Sequence, residues 1–235
     1  MPGEAVRLVS MLALTVGAYA LARALYLRYR HPLVQPVLLG AGLIIAVLAL
    51  SGHTLDDYGG ARDVLGRLLG PVTVALAVPI HKQRARLRAA LLPLAAGVVL
   101  GTASTIAAVL GLAALARVDV GVWPALAVKS VTAPIAIELA RLQGGDPGLA
   151  ATFAIVTGTL GAMLGPALLT RCRVTDPVAR GIALGTASHG QGTAAALVEG
   201  EATGAMSSLA MAGAAIFTAS IAPTFIPALL GVLAP

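Results

Sequence analysis

A lysine inside an apolar stretch is the first residue of this chain whose type and setting could do chemistry. Lys129 stands between Val128 and Ser130 within residues 121–141, GVWPALAVKSVTAPIAIELAR. Only two lysines occur among the 16 basic residues, and the other, Lys82, lies in a basic loop. Holding an ammonium group in hydrocarbon costs about 3 kcal/mol or more, so a cation kept there is a functional-site candidate. With Ser130 and Thr132 beside it, Lys129 is suited to hold a carboxylate; snorkelling to an interface or a structural pair with Glu138 is the competing role. The second cluster is Ser188-His189-Gly190-Gln191-Gly192-Thr193. Gly190 and Gly192 loosen a helix and free backbone N–H groups, and Ser188, Gln191 and Thr193 add side-chain donors. A half-helix beginning near Gly192 would point its positive dipole end at an anion. His189 can donate a hydrogen bond or titrate near neutral pH, which suits proton coupling. Its competing role is a satisfied histidine inside a kinked helix.

Other chemistries lack their residues. There is no Walker A motif to use ATP, no HExxH, and no GxSxG in a strand–turn–helix setting. Ser188 and His189 are sequence neighbours, a poor arrangement for a nucleophile and its base. No Asp lies within a long apolar stretch, which disfavours a paired-Asp Na⁺/H⁺ exchanger. Cys172 is the single cysteine, so there is no disulfide framework and no CxxC metal pair. No catalytic residue, metal or cofactor is expected, and the chain does not read as an enzyme.

The elements that position these residues follow from composition. Hydrophobic residues make up 58% of the 235, charged residues only 11%, and the mean hydropathy is +0.91. A soluble domain carries roughly 25% charged residues, so the surface must be wetted by lipid. Soluble enzymes and nucleic-acid binders are excluded, and the net charge of +6 reads as the positive-inside bias of loops. Uncharged gaps of 15 residues (Arg7 to Arg23), 25 (Arg30 to Asp56), 28 (Arg88 to Arg117) and 24 (Asp146 to Arg171), with the run after Glu201, read as membrane helices. Apolar residues are continuous rather than alternating, so a β-barrel is excluded. Arg7, the following apolar run and Ala18-Tyr19-Ala20 also resemble a secretory signal, but hydrophobicity continuing through Leu21–Leu27 favours a retained helix.

Three stretches are short and interrupted: 67–82 at Gly70, Pro71 and Pro79; 121–141 at Pro124, Lys129 and Pro134; and 181–198 near 186–192. Broken backbone inside a membrane is tolerated only where it is buried in protein or lines a cavity, so these read as broken or re-entrant helices. Lys82, Arg84, Arg86 and Arg88 mark one loop as cytoplasmic, with Arg28 and Arg30 on the same side. Placing Arg171, Arg173 and Arg180 there too requires residues 119–145 to enter and leave on one face, as a hairpin. An offset of 115 residues superposes Pro32 on Pro147, Gly66 on Gly181, Gly70 on Gly185, and 89–116 on 204–231. The expectation is one all-α integral membrane domain over 1–235 with seven to eight membrane segments. It comprises a half-repeat over 33–116, the broken segment 119–145, and a second, inverted half over 147–233. A homodimer is the default assembly.

These residues, taken in order, resemble a known family. Gly70-Pro71 with VALAVPI, Lys129-Ser130-Val131-Thr132-Ala133-Pro134-Ile135-Ala136, Gly161 with Gly165-Pro166, and Ser188-His189-Gly190-x-Gly192-Thr193 are similar to the LrgB/CidB family over roughly residues 34–231. The family usually has alanine where this chain has Gly190. The resemblance implies a multi-pass protein of the bacterial inner membrane. It also implies an antiholin-like or murein-hydrolase-regulating role beside a small holin-like partner, or movement of glycolate, glycerate or pyruvate as in plastidial and bacterial relatives. Two functions are therefore expected in competition. One is a transporter of small monocarboxylates, coupled to H⁺ or Na⁺, with Lys129, Ser130, Thr132, Ser188, His189, Gly190, Gly192 and Thr193 at its site. The other is a regulator that transports nothing.

Overall fold

The computed structural model describes residues 2–29, 34–75 and 77–233. Arg30, Pro32 and Leu33, used above for sidedness and for the first half-repeat, lie outside the described residues. No strand occurs among those described. The helices are α1 (Pro2–Tyr29), α2 (Pro36–Leu50), α3 (Gly59–Ala75), α4 (Ala77–Lys82), α5 (Arg84–Ala89), α6 (Leu91–Leu115), α7 (Trp123–Ala127), α8 (Ala133–Leu142), α9 (Pro147–Arg171), α10 (Pro177–Glu199) and α11 (Glu201–Leu233). Four of them, α1, α6, α9 and α11, are long and apolar enough to cross a membrane; α2 is apolar but shorter. Pro71 lies inside α3 rather than ending it. Pro79 lies within α4.

The chain forms two compact units, Met1–Ala77 and Val78–Pro235. In the first, α1 packs on α2 closely enough that a methyl on Gly40 would meet the Tyr19 Cα at 3.8 Å. Arg7 pairs with Asp57 at 2.7 Å, and Thr15 and Tyr58 share a hydroxyl–hydroxyl bond of 2.8 Å. These contacts build α1 into the unit as one continuous helix.

The second unit is organised by two chain reversals. Asp-Pro pairs start its α9 and α10: Asp146 accepts from Leu149 N and Asp176 from Ala179 N, each at 2.8 Å, with proline at the first helical position. Such caps satisfy N–H groups that no helical carbonyl reaches. Within α10, His189 adopts φ 41° and ψ −131°, and the chain turns back there. The proof is at the ends: Arg180 Nη2 meets Glu199 Oε1 at 2.6 Å. Residues 19 apart would lie roughly 28 Å apart along a straight helix. A methyl on Gly192 would likewise strike the carbonyl of Leu184. So α10 is a helical hairpin with arms 177–188 and 190–199 and its tip at His189.

The other reversal lies between α7 and α8. Residues 128–132 leave the helix, and Pro134, tolerated only in a first turn, sits at the start of α8. A methyl on Gly145 would meet Pro124 Cβ at 2.7 Å, so the segment 124–145 ends beside where it began. Both hairpins lie against α9, from opposite ends. The first is joined to the N-terminus of α9 through Gly145. The second has its base at Pro166 and Thr170, which accept from Arg180, and its tip at Gly158–Gly161, half-way along α9.

Small residues make this approach possible, as in membrane helix packing generally. Gly158, Gly161 and Gly165 of α9 face His189, Ser188 and Leu184; Gly181 and Gly185 of the first arm face the backbone of Thr203 and Ser207 in α11; Gly97 and Gly101 of α6 face Ile182 and Thr186. The pairings 97–182 and 101–186, with 181–203 and 185–207, make α6 and α11 run in the same direction. The 115-residue offset thus relates these two helices without inversion, because the hairpin of α10 returns to the end it came from. Trp123, Val128, Val131 and Leu139 of the first hairpin are buried with Ile106, Leu110, Ala150, Ala154, Ala222 and Ile226.

Candidate functional site

Lys129 is the second residue of the segment 128–132 that joins α7 to α8. Its Nζ donates to Ser130 Oγ at 3.2 Å, which leaves two of the three ammonium N–H groups for a ligand. Glu138 is exposed and accepts from Arg141 at 2.9 and 3.1 Å. Among the described residues no carboxylate pairs with Lys129, so the Glu138 pairing is not formed.

A cavity of about 460 Å³ is lined by Lys129, together with Thr105 of α6, Thr157 and Gly161 of α9, and Ala187 and Ser188 at the tip of the α10 hairpin. The rest of its wall is apolar: Leu160, Leu164, Leu168 and Leu184 among others. One cation, three hydroxyl-bearing residues and apolar walls suit a small organic anion with a short carbon tail. Gly161 is integral to this wall, since a methyl there would occupy the place of Ser188 Oγ.

The other expected residues divide by place. Ser130 is buried and supports Lys129. Thr132 is the extended residue before α8 (φ −62°, ψ 146°), with no side-chain cap bond; Pro134 follows in the first turn. His189 is buried, and its Nε2 lies 2.9 Å from the carbonyl of Ala154. A carbonyl only accepts, so Nε2 carries the hydrogen and Nδ1 is the ring atom left to take up a proton. Thr193 donates to His189 O at 3.0 Å and meets Ser207 Oγ at 3.0 Å, a bracket that fixes the turn. Gly192 packs under Leu184, and Gly190 is exposed at the tip. The second arm starts at Gly190, two residues earlier than expected, because the reversal falls on His189 itself. Lys129 and Ser188 thus reach the cavity wall, while His189 and Thr193 brace the hairpin.

Thr105 and Thr157 were not legible as residues of this cavity wall. Threonines in apolar helices commonly satisfy themselves on the preceding turn, as Thr105 does on Gly101 O and Thr102 O at 3.1 and 2.8 Å. The available signal was the glycine spacing 158, 161, 165, a face too narrow for anything but a closely packed partner. No group of three or more His, Cys, Asp or Glu residues able to hold a metal ion occurs among the described residues.

Fold and candidate site together define an all-helical membrane protein with a half-buried lysine beside a cavity where two helical hairpins converge. The chain belongs to the LrgB-like family, whose model matches residues 15–228. It is 34% identical to the uncharacterized protein YxaC of Bacillus subtilis (strain 168), over 92% of this chain and 94% of that one. It is 32% identical to the holin-like protein CidB of Staphylococcus aureus (strain N315), over 96% of both. The antiholin-like protein LrgB of Bacillus subtilis (strain 168) is 28% identical over 93% of both chains. No solved structure matches the chain.

Proposed function

We propose that this protein is a secondary transporter of small monocarboxylates, 2-oxo or 2-hydroxy acids of glycolate, glycerate or pyruvate size, across the bacterial inner membrane by alternating access. The observation that carries this reading is one cavity of about 460 Å³ with Lys129 from one hairpin and Ser188 from the other on its wall. The volume lies within the roughly 300–1,000 Å³ usual for small-molecule sites. If α9 spans the bilayer, its mid-point, and with it both hairpin tips, lies at mid-depth, where transporters with broken helices bind substrate. The re-entrant hairpins then approach from opposite faces. With α1, α2, α6, α9 and α11 they make seven inserted segments. Both α8 and the second arm of α10 start at a tip, so their positive dipole ends favour an anion there. Nδ1 of His189 offers a place for a coupled proton. The carboxylate is held by Lys129 and Ser188, and a homodimer is the expected assembly.

The names of the relatives support a second reading more directly: an antiholin-like regulator of murein hydrolase activity that works with a small holin-like membrane partner. A protein acting by assembly alone has no use for a lysine in the wall of such a cavity, and this favours transport. Purified protein in liposomes, offered a panel of two- to four-carbon acids, separates the two. Saturable uptake of at least one acid is the expected result. No uptake of any acid by correctly folded protein, with autolysis altered in cells lacking the gene, would leave the regulatory reading.

A further inference from the structure

Arg180 and Glu199 lie outside every cluster considered so far, yet they form the most completely bonded ion pair among the described residues. Arg180 Nε donates to Glu199 Oε2 at 2.7 Å and Nη2 to Glu199 Oε1 at 2.6 Å, a two-point clasp. Nη1 donates to Val174 O at 2.8 Å and Thr170 Oγ1 at 3.2 Å, and Nη2 also to Pro166 O at 3.1 Å. A guanidinium has five N–H groups, and all of them are used. The side chains are only 13% and 20% exposed, against 48–74% for the Lys82–Glu201, Arg62–Asp63 and Arg141–Glu138 pairs. Pairs as exposed as those three are worth little. This one is planar, bidentate and largely desolvated, so losing one partner leaves a buried charge uncompensated.

Its place gives it a role. Arg180 belongs to the arm that descends to the tip, Glu199 to the end of the arm that returns, and Pro166, Thr170 and Val174 to α9 and the loop after it. Four pieces of chain therefore meet at the base of the hairpin whose tip holds Ser188 and His189. Because the arms are helical and stiff, the spacing at the base sets how the tip meets α9 and the cavity. We propose that Arg180 and Glu199 are positioning residues: their clasp closes the base of the α10 hairpin and thereby fixes Ser188 and Ala187 on the wall of the Lys129 cavity. The placement of the tip stands without any transport; the effect on substrate rests on the transport reading.

The test reads the tip directly and the substrate separately. In full-length protein carrying Cys172→Ser, a reporter cysteine replaces Ala187, which lines the cavity and touches neither member of the clasp. Its labelling rate with a small maleimide is measured with the clasp intact, in Glu199→Gln, in Arg180→Lys, and in the exchanged pair Arg180→Glu/Glu199→Arg. Helical content and monodisperse elution report the fold. The expected result is a labelling rate changed at least ten-fold in Glu199→Gln and Arg180→Lys, and restored to within about three-fold in the exchanged pair. Labelling within two-fold of the intact clasp in either folded single variant overturns the proposal. So does unfolding of every variant, because the pair would then hold the whole fold rather than the tip. Pyruvate uptake in liposomes is measured alongside: the half-saturation concentration should rise more than the maximal rate falls in the folded single variants. If wild type transports none of the acids, the transport reading fails while the labelling result still decides the clasp.

Discussion

His189 takes up φ 41° and ψ −131° although Gly190, to which positive φ costs nothing, is its neighbour. A non-glycine residue in so sparsely populated a conformation stores about 1–3 kcal/mol, held here by the ring's bond to Ala154 and by Thr193. The usual helix ranking, in which alanine beats glycine by about 1 kcal/mol, should therefore invert: His189→Gly is expected to melt at a higher temperature than His189→Ala, read by thermal unfolding in detergent. His189→Ala is also expected to flatten the pH dependence of uptake, since it removes the one ring atom left to take a proton. Asp57 tests a different residue-scale effect in the first unit. The hydrogen bonds from Thr54 N and Oγ1, and then the charges of Arg7 and His53, hold its carboxyl below the ordinary aspartate range. Stability from this group is present above the unfolded value near pH 4 and is lost as pH falls through the lower folded value. The melting difference between wild type and Asp57→Asn should be visible at pH 7 and shrink below about pH 4. Lys129 was legible in the sequence because a charge in an apolar run is costly. Thr105 and Thr157 were not, since nothing in their neighbourhood departs from an ordinary apolar helix.

At the scale of elements, the breaks were legible and their consequence only partly so. Pro134 and Lys129 announced an interruption between α7 and α8, and the glycines of 185–192 announced one in α10. A pattern of glycines does not say whether a helix kinks or reverses. The reversal is settled by contacts between residues far apart in sequence, Arg180 with Glu199 and Leu184 with Gly192, which no local signal reveals. For the same reason α6 and α11 run in the same direction, where the parity of charged loops suggests inversion. The glycines that allow the close approach should differ sharply on substitution. Gly185→Ala would drive a methyl into the backbone carbonyl of Ser207, which cannot yield, at a cost of about 1–3 kcal/mol. Gly161→Ala would displace Ser188 from the cavity and lose uptake even where the protein folds. Gly111, in α6, has nothing within 4 Å of the position a methyl would take. Gly111→Ala should stabilise by up to about 1 kcal/mol, and all three are compared by thermal unfolding.

On the scale of the molecule, charge composition and apolar gaps sufficed for an all-helical membrane chain, while the convergence of two hairpins on α9 had to be seen. That convergence brings Lys129 and Ser188, from two separate hairpins, to the wall of one cavity. In the transport reading Lys129 holds the carboxylate of the substrate, and removing its amino group is the direct test. A charge-assisted hydrogen bond contributes about 1.5–3 kcal/mol, or roughly 10- to 150-fold in affinity. Lys129→Arg should restore part of this at most, because a planar fork replaces a point charge. The measurement is the half-saturation concentration for uptake of the best acid in the panel by purified wild type and Lys129→Ala in liposomes. The prediction is an increase of about 10- to 150-fold in Lys129→Ala, with unchanged helical content. Uptake by Lys129→Ala at the wild-type half-saturation concentration for every acid would contradict it.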